Sequence, residues 1–263
     1  MTPEQIAAAF RQARQSATAL ESYPADELPA SLESAYAIQE IAIEAWDDRV
    51  AGWKVAAVQP AFREKYPAER LAGPVFSRTV HEGGVAAARV PVIENGYAAV
   101  EAEFAVRIGK TVPPLPADAD PASLLPYVDG VYAAFEIAAS PLATLSALGP
   151  GAVISDFGNN SGLVLGPRLP VSVLTEPSSA TAVTEINGIQ AGEGGAARVP
   201  GGPLAAVLFL ARHLATRGRS LKEGDWVSTG ASTGIHPVKP GDTARAVFNQ
   251  TQVVSAVIVK AGA

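Results

Sequence analysis

The segment YAAVEAEFAVRIG, Tyr97 to Gly109, carries the pattern on which the fold turns. Its residues alternate with period two. Val100, Ala102, Phe104, Val106 and Ile108 point one way, while Glu101, Glu103, Ala105 and Arg107 point the other. The alternation predicts a half-buried strand with two carboxylates side by side on one face. A solvated face would accommodate the pair, and Arg107 suits that reading. On this segment alone the solvated face is favoured over a cation site.

Glu136 bears on that choice. It lies in VYAAFEIAAS, Val131 to Ser140, a run too apolar for a surface strand, and it is the only charged residue between Asp129 and Asp156. A lone carboxylate in such a run is costly unless something compensates it. One compensation is a cation shared with the Glu101 and Glu103 pair. Another is an ion pair with Lys54 or Arg107. Three carboxylates in a chain without cysteine suggest a hard cation with oxygen ligands, so Mg2+ or Mn2+ fits better than Zn2+. Three protein ligands also leave positions open for water and a chelating substrate.

Lys54 sits in AGWKVAAV, again in apolar company, and must find an anion or lower its pKa. It reads as a substrate-carboxylate contact or proton-transfer group, or as a structural ion pair. Asp156 opens DFGNNSGLVLG, where Gly158, Asn159 and Asn160 are also good turn chemistry. The segment Ser228 to Asp242, STGASTGIHPVKPGD, can present Thr229, Ser232 and Thr233 with backbone N–H groups to an anion, or form an ordinary β-turn. His81 and His213 have no ligand-like spacing, and His213 is expected on a helix surface. No Ser-His-Asp motif, P-loop or dinucleotide fingerprint stands out.

Outward from these segments, the N-terminal part, residues 1–50, reads helical. Thr2 can cap a helix, Pro3 fits its first position, and Gln5 sits three residues after the cap. Ile6, Phe10, Ala13, Ala17 and Leu20 recur at helical spacing. A second helix is expected from Ser31 towards Trp46. From Gly52 on, short apolar runs alternate with Gly and Pro, a strand-and-turn grammar. Expected strands are Gly52 to Val58, Tyr97 to Ile108, Val128 to Ile137, Gly162 to Gly166, Ala182 to Ile186, Trp226 to Thr229 and Thr243 to Phe248. One inserted helix is expected from near Pro203 to before Gly218. Thr111 to Pro121 holds four prolines in eleven residues and reads as a loop. With no repeat and no linker, 1–263 reads as one α+β domain, a mostly β body at 51–263 behind the helices.

Composition limits the function. The 263 residues are 48% hydrophobic and 17% charged, which argues for a folded core. The formal net charge of −6, without a basic run, argues against nucleic acid and anionic membrane as partners. The absence of cysteine removes disulfides and thiol nucleophiles. The N-terminus lacks a signal-peptide pattern, and the most hydrophobic window, Leu204 to Leu214, contains Arg212 and is too short to span a bilayer. A cytoplasmic protein is the expectation.

Taken in order, these segments resemble the fumarylacetoacetate hydrolase superfamily, in the branch of 2-keto-4-pentenoate hydratases, 2-oxohept-4-ene-1,7-dioate hydratases and 4-oxalocrotonate decarboxylases. The resemblance runs through GWK (52–54), VEAEFAV (100–106), FEI (135–137), DFGNNSGLVLG (156–166), GGPLAAVLFLARHLATRG (201–218) and LKEGDWVSTGASTGIHPVKPGD (221–242). It implies a mixed β-roll or distorted barrel with Mg2+ or Mn2+ on Glu101, Glu103 and Glu136, and Lys54 as an active-site lysine. Asp156 joins Lys54 as a catalytic candidate, and Ser232 and Thr233 are substrate-binding candidates.

The resemblance implies a hydratase acting on a 2-hydroxydienoate or 2-oxo-alkenoate acid, or else a decarboxylase or C–C bond lyase. It also allows a weakly active member that binds a metal or small acid. A homo-oligomer is expected, with association with a pathway enzyme as a further option. The chain departs from the family pattern at Ala56, Ala57 and Val58 after the lysine, at Ala139 in place of an aspartate, and at Phe157 in place of an asparagine. The lost hydroxyls make the near wall apolar and lead to an expected monocarboxylic acid with an apolar tail. A dicarboxylate would need an additional cation, for which Arg63, Lys65 and Arg70 are the candidates.

Overall fold

The computed structural model describes residues 1–84 and 86–262. Thr2 caps the first helix, Pro3–Gln15: its hydroxyl accepts from the Gln5 N–H, and the Gln5 side chain accepts from the Thr2 N–H. Ile6, Ala7, Phe10 and Ala13 form the buried stripe. Ser31 caps the second helix, Leu32–Glu44, reciprocally with Ser34. Gln39 is fully buried in that helix, and its amide donates to the carbonyls of Ala72 and Ile154 at 3.2 and 3.0 Å. The Tyr36 hydroxyl accepts from the Ala72 N–H at 2.9 Å. These bonds fasten the N-terminal helices to a strand beside the candidate site.

The larger sheet has eight strands. Its main path runs Arg70–Phe76, Val50–Ala57, Trp226–Ser228, Tyr97–Ile108, Val128–Ser140, Asn160–Leu169, Val80–Glu82, with His236–Pro237 paired to Tyr97–Ile108. Val50–Ala57 is parallel to Trp226–Ser228, and Val80–Glu82 to Asn160–Leu169; the other pairings are antiparallel, so the sheet is mixed. The second sheet runs Ala88–Val92, Gln252–Lys260, Thr243–Phe248, Thr181–Ile186, Ile189–Gly195. The two sheets share a core. Val100, Ala102, Phe104, Val106 and Ile108 enter it from Tyr97–Ile108, and Phe104 meets Phe248 edge-on with ring centroids 5.2 Å apart. Helix Pro203–Thr216 buries Leu204, Val207, Leu210 and Leu214.

The α+β reading holds. Tyr97–Ile108 and Thr243–Phe248 form over their expected bounds, and Val128–Ser140 continues three residues past Ile137. The first helix ends at Gln15, because Ala17 turns to φ 51° and Leu20 bridges to Leu142. Short helices at Leu145–Leu148, Pro150–Ser155 and Ser172–Thr175 join the one inserted helix expected. Among the described residues no helix is long and apolar enough to cross a membrane.

Candidate metal centre

Register builds the site. Tyr97–Ile108 and Val128–Ser140 pair so that Glu101 lies directly opposite Glu136, and Glu103 follows two residues along the same face as Glu101. Like charges directly across a strand pair repel. Here they are buried as well: Glu103 and Glu136 are 0% exposed and Glu101 5%. One oxygen from each of the three can be chosen so that all lie within 4.8 Å of one another.

One oxygen of Glu103 and one of Glu136 are already occupied. Glu103 Oε2 accepts from Ser228 Oγ at 2.5 Å and from the Gly230 N–H at 2.8 Å. Glu136 Oε1 accepts from Asn160 Nδ2 at 3.1 Å and lies 3.2 Å from Lys54 Nζ. Glu103 Oε1 and Glu136 Oε2 are buried with no hydrogen-bond partner. Buried carboxylate oxygens without donors are rare and costly. Glu103 and Glu136 are thus each oriented by neighbours through one oxygen and offer the other, the arrangement expected of metal ligands with outer-sphere support.

Charge points the same way. Lys54, 1% exposed, is the cation beside the three carboxylates, so two negative charges are uncompensated when all three are ionised. Protons or a divalent cation must make up the difference. Burial first, then the Glu136 charge, push Glu101 up to about 7, and burial with the charges of Glu136 and Glu101 drives Glu103 well above the carboxylate range. Burial pulls Lys54 down, but the three glutamates outweigh it and hold Lys54 above its ordinary value. The donor set, all oxygen and net negative, fits Mg2+ or Mn2+.

The loop after Asp156 completes the lysine's surroundings. Asn159 Oδ1 accepts from Lys54 Nζ at 3.0 Å, while the next residue holds Glu136. This loop takes left-handed backbone at Phe157, Gly158 and Asn159, with φ of 55°, 66° and 57°. It also lies so close to the strand Arg70–Phe76 that a Cβ on Gly73 would stand 2.2 Å from the Phe157 carbonyl oxygen. Phe157 wedges between Trp46 and Phe76, with centroids 5.3 and 5.0 Å away.

Three candidates from the sequence stand elsewhere. Asp156 is fully buried and bound to Arg14 on the first helix, away from the cavity lining. Arg14 also donates to Ser161 Oγ at 2.9 Å and to the carbonyl of Ala139 at 2.8 Å. Asp156 therefore braces the loop through Arg14 and does not line the cavity. Ser232 Oγ donates to the Ala102 carbonyl at 2.5 Å, and Thr233 Oγ1 is shared with Thr184 Oγ1 at 2.8 Å and His236 Nε2 at 3.1 Å. The strands consume both hydroxyls, so neither residue lines the cavity, and Thr229, Gly230 and Ala231 do so in their place. Arg107 stacks over Trp226 at 4.6 Å, which leaves Lys54 as the partner of Glu136.

A cavity of about 320 Å³ opens over Lys54 and Glu101. Its walls include Val55, Val58, Phe62, Leu71, Val153 and Val199, and Tyr97 reaches it with a hydroxyl that burial pushes above its usual range. Of the three cations named from sequence, only Arg70 lines it; Arg63 donates to the Val58 carbonyl and Lys65 sits over the Tyr66 ring. Arg198, which nothing in the sequence had marked, lines it as well.

Known proteins share this arrangement of chain. The TodF product hydratase of Pseudomonas putida (strain F1) is 30% identical over 218 residues, covering 80% of this chain and 78% of the relative. The 4-oxalocrotonate decarboxylase from Pseudomonas putida G7, solved with magnesium and adipate, has the same fold with a TM-score of 0.81 at 21% identity, covering 98% of this chain and 97% of that one. Fumarylpyruvate hydrolase from Pseudomonas aeruginosa, solved with Mn2+ and pyruvate, matches with a TM-score of 0.59 at 17% identity over 83% of this chain and 94% of that one. Residues 49–259, which hold the three glutamates, Lys54 and both asparagines, match the family described as Fumarylacetoacetate (FAA) hydrolase C-terminal, and the chain belongs to that family.

Proposed function

We propose that the chain is a metal-dependent hydratase that adds water to a 2-hydroxydienoate or 2-oxo-alkenoate acid of the 2-keto-4-pentenoate type, with Mg2+ or Mn2+ on Glu101, Glu103 and Glu136. The observation that carries the reading is the pair of buried, unpartnered oxygens, Glu103 Oε1 and Glu136 Oε2, in the same carboxylate cluster as Glu101, which lines an apolar cavity. The hydratase relative supports the reaction class. A bound divalent cation would supply a Lewis acid that favours enolate character in a chelating 2-oxo acid.

The chain's own residues supply the rest. The glutamate charges hold Lys54 above its ordinary value. Lys54 therefore acts as a fixed positive charge and proton holder at Nζ beside the substrate's acid end. Asn159 fixes the direction of that ammonium. Asn160, Ser228 and the Gly230 N–H hold two of the carboxylates in the orientation ligation needs. The aliphatic walls limit water to the open side of the cavity and strengthen each charge interaction within it.

The test is the loss of dienol absorbance when 2-hydroxypenta-2,4-dienoate is added with Mg2+ or Mn2+, with CO2 release followed in parallel on a panel of 2-oxo acids. Metal-dependent loss of absorbance without CO2 supports hydration. CO2 release moves the chain to decarboxylation on the same residues, and no turnover across the panel overturns the enzymatic reading.

A further inference from the structure

Lys54, Arg70 and Arg198 line the cavity and can only donate hydrogen bonds. A water that attacks a carbon needs an acceptor as well, to orient it and to take its proton. Most acceptors in the lining are engaged. Glu101 belongs to the carboxylate cluster, Asn159 Oδ1 accepts from Lys54 Nζ, and Thr229 Oγ1 donates to the Phe104 carbonyl at 2.7 Å. The lysine strand continues as Ala56, Ala57 and Val58, which carry no hydroxyl, and Gln59 after them is exposed. Among the described lining residues, Tyr97 and Ser146 are the half-buried hydroxyls that remain.

The strand that carries two of the carboxylates also carries Tyr97. With period two, Tyr97 shares a face with Glu101 and Glu103, and only Ala99 stands between Tyr97 and Glu101 on that face. Four residues along a strand is about 13 Å, so the phenol enters the cavity from a backbone position beyond the cluster. The charges of Glu101, Lys54 and Glu136 all reach it. Ser146, on the short helix Leu145–Leu148, hydrogen-bonds the phenol. Burial outweighs that bond and keeps the phenol above its usual range, so Tyr97 works as a neutral hydroxyl. A bond between two hydroxyls uses one O–H and leaves the other, with lone pairs on both oxygens. The pair can therefore give a hydrogen bond to a water and also accept one from it.

We propose that Tyr97, with Ser146 behind it, holds the water that adds to C4 of the substrate. The proposal rests on reading the site as that of a hydratase for 2-oxo-alkenoate acids. In the step, the water oxygen forms a bond to C4, the C3–C4 π pair moves to C2–C3, and the carbonyl π pair moves onto the C2 oxygen. The proton that the water loses passes to Tyr97 Oη while Tyr97 passes its own to Ser146 Oγ and Ser146 passes one to solvent. Both hydroxyls end neutral. C3 then takes a proton from Lys54 Nζ as the C2 carbonyl forms again, and Lys54 recovers one from solvent. The sum is one water added across C3 and C4.

The experiment gives 2-hydroxypenta-2,4-dienoate to the Mn2+-loaded unaltered chain and to Mn2+-loaded Tyr97→Phe, which keeps the ring, and resolves the products by proton NMR. The unaltered chain should form 4-hydroxy-2-oxopentanoate. In Tyr97→Phe that product should form about tenfold more slowly, the size of one lost hydrogen bond, with KM little changed. The dienol should still disappear faster than in buffer, and the unhydrated tautomer 2-oxopent-3-enoate should accumulate. Ser146→Ala should shift the products the same way by a smaller factor. Hydrated product at the unaltered rate in Tyr97→Phe overturns the role. So does an equal loss of dienol consumption and hydrated product, which would make Tyr97 a wall of the cavity and nothing more. No hydrated product from the unaltered chain overturns the hydratase reading and the role of Tyr97 together.

Discussion

Arg14 and Asp156 lie 142 positions apart and form a two-pronged pair, Nε to Oδ1 at 2.5 Å and Nη2 to Oδ2 at 2.9 Å. Their side chains are 9% and 0% exposed. The pair ties the first helix, which lies outside the family match at 49–259, to the loop whose next residues hold Lys54 and Glu136. Arg14→Met strands a buried carboxylate, and breaking such a pair costs about 3–5 kcal/mol. Urea unfolding should show a loss of that order. A change below about 1 kcal/mol, the range of exposed ion pairs, would mean that the helix does not brace the loop.

Lys54→Met removes the one ammonium beside three carboxylates. The variant should keep its divalent metal, because every carboxylate remains, and lose about ten- to a hundredfold in kcat/KM or more, the cost of a lost charge-assisted contact. Near-normal kcat/KM in a metal-loaded variant would reduce Lys54 to a structural partner of Glu136.

The metal-free chain should lose stability as pH rises. Glu101 is held up at about 7 and Glu103 well above its ordinary value of 4.5, so from 4.5 to about 7 the folded state binds more protons than the unfolded state. Stability then falls with increasing pH through that window. Divalent metal binds the deprotonated carboxylates and should reverse the trend. Melting temperature followed from pH 5 to 8, with chelator and with added Mn2+, reads both slopes. A flat curve in chelator would contradict the carboxylate environment described here.

His213, which does not line the cavity over Lys54 and Glu101, provides an acid-side counterpart. It stacks on Phe209 with centroids 5.5 Å apart and packs against Tyr36 at 4.4 Å. Burial first, then the charge of Arg217, lower its pKa from 6.5 to about 4. Its neutral form belongs to the folded state, so the stability it contributes is complete above pH 6.5 and is lost as pH falls towards 4. His213→Gln should flatten that part of the stability profile, and an unchanged acid limb would show that His213 is not the titrating group.

The carboxylate cluster was legible because burial and charge conflict openly in the sequence. Period two put Glu101 and Glu103 on one face, and an apolar run isolated Glu136. Their direct register, Glu101 opposite Glu136, required the folded sheet. Ser232 and Thr233 misled because hydroxyls near glycines look available, while the strands behind them take the hydrogen bonds. Asp156 misled because its partner comes from the first helix, and no local pattern records a contact so distant.

Among the strands, Arg70–Phe76 was hidden by Gly73 and Pro74, the former needed for the close approach of the Phe157 loop. Ile189–Gly195 was hidden by its glycines and exposure. The β-branched run in Gln252–Lys260 does carry a strand signal and lay outside the expected set.

Metal content of the Glu136→Gln variant decides whether the three glutamates hold a divalent cation. The substitution keeps the shape and hydrogen-bonding size of the side chain but removes one ligand charge from the cluster of Glu101, Glu103 and Glu136. The measurement is elemental analysis after equilibration with Mn2+ and removal of free ion, alongside a circular dichroism check that the chain remains folded. One Mn2+ per chain is expected in the unaltered protein, with a folded, metal-poor variant. Full metal content in folded Glu136→Gln would contradict it.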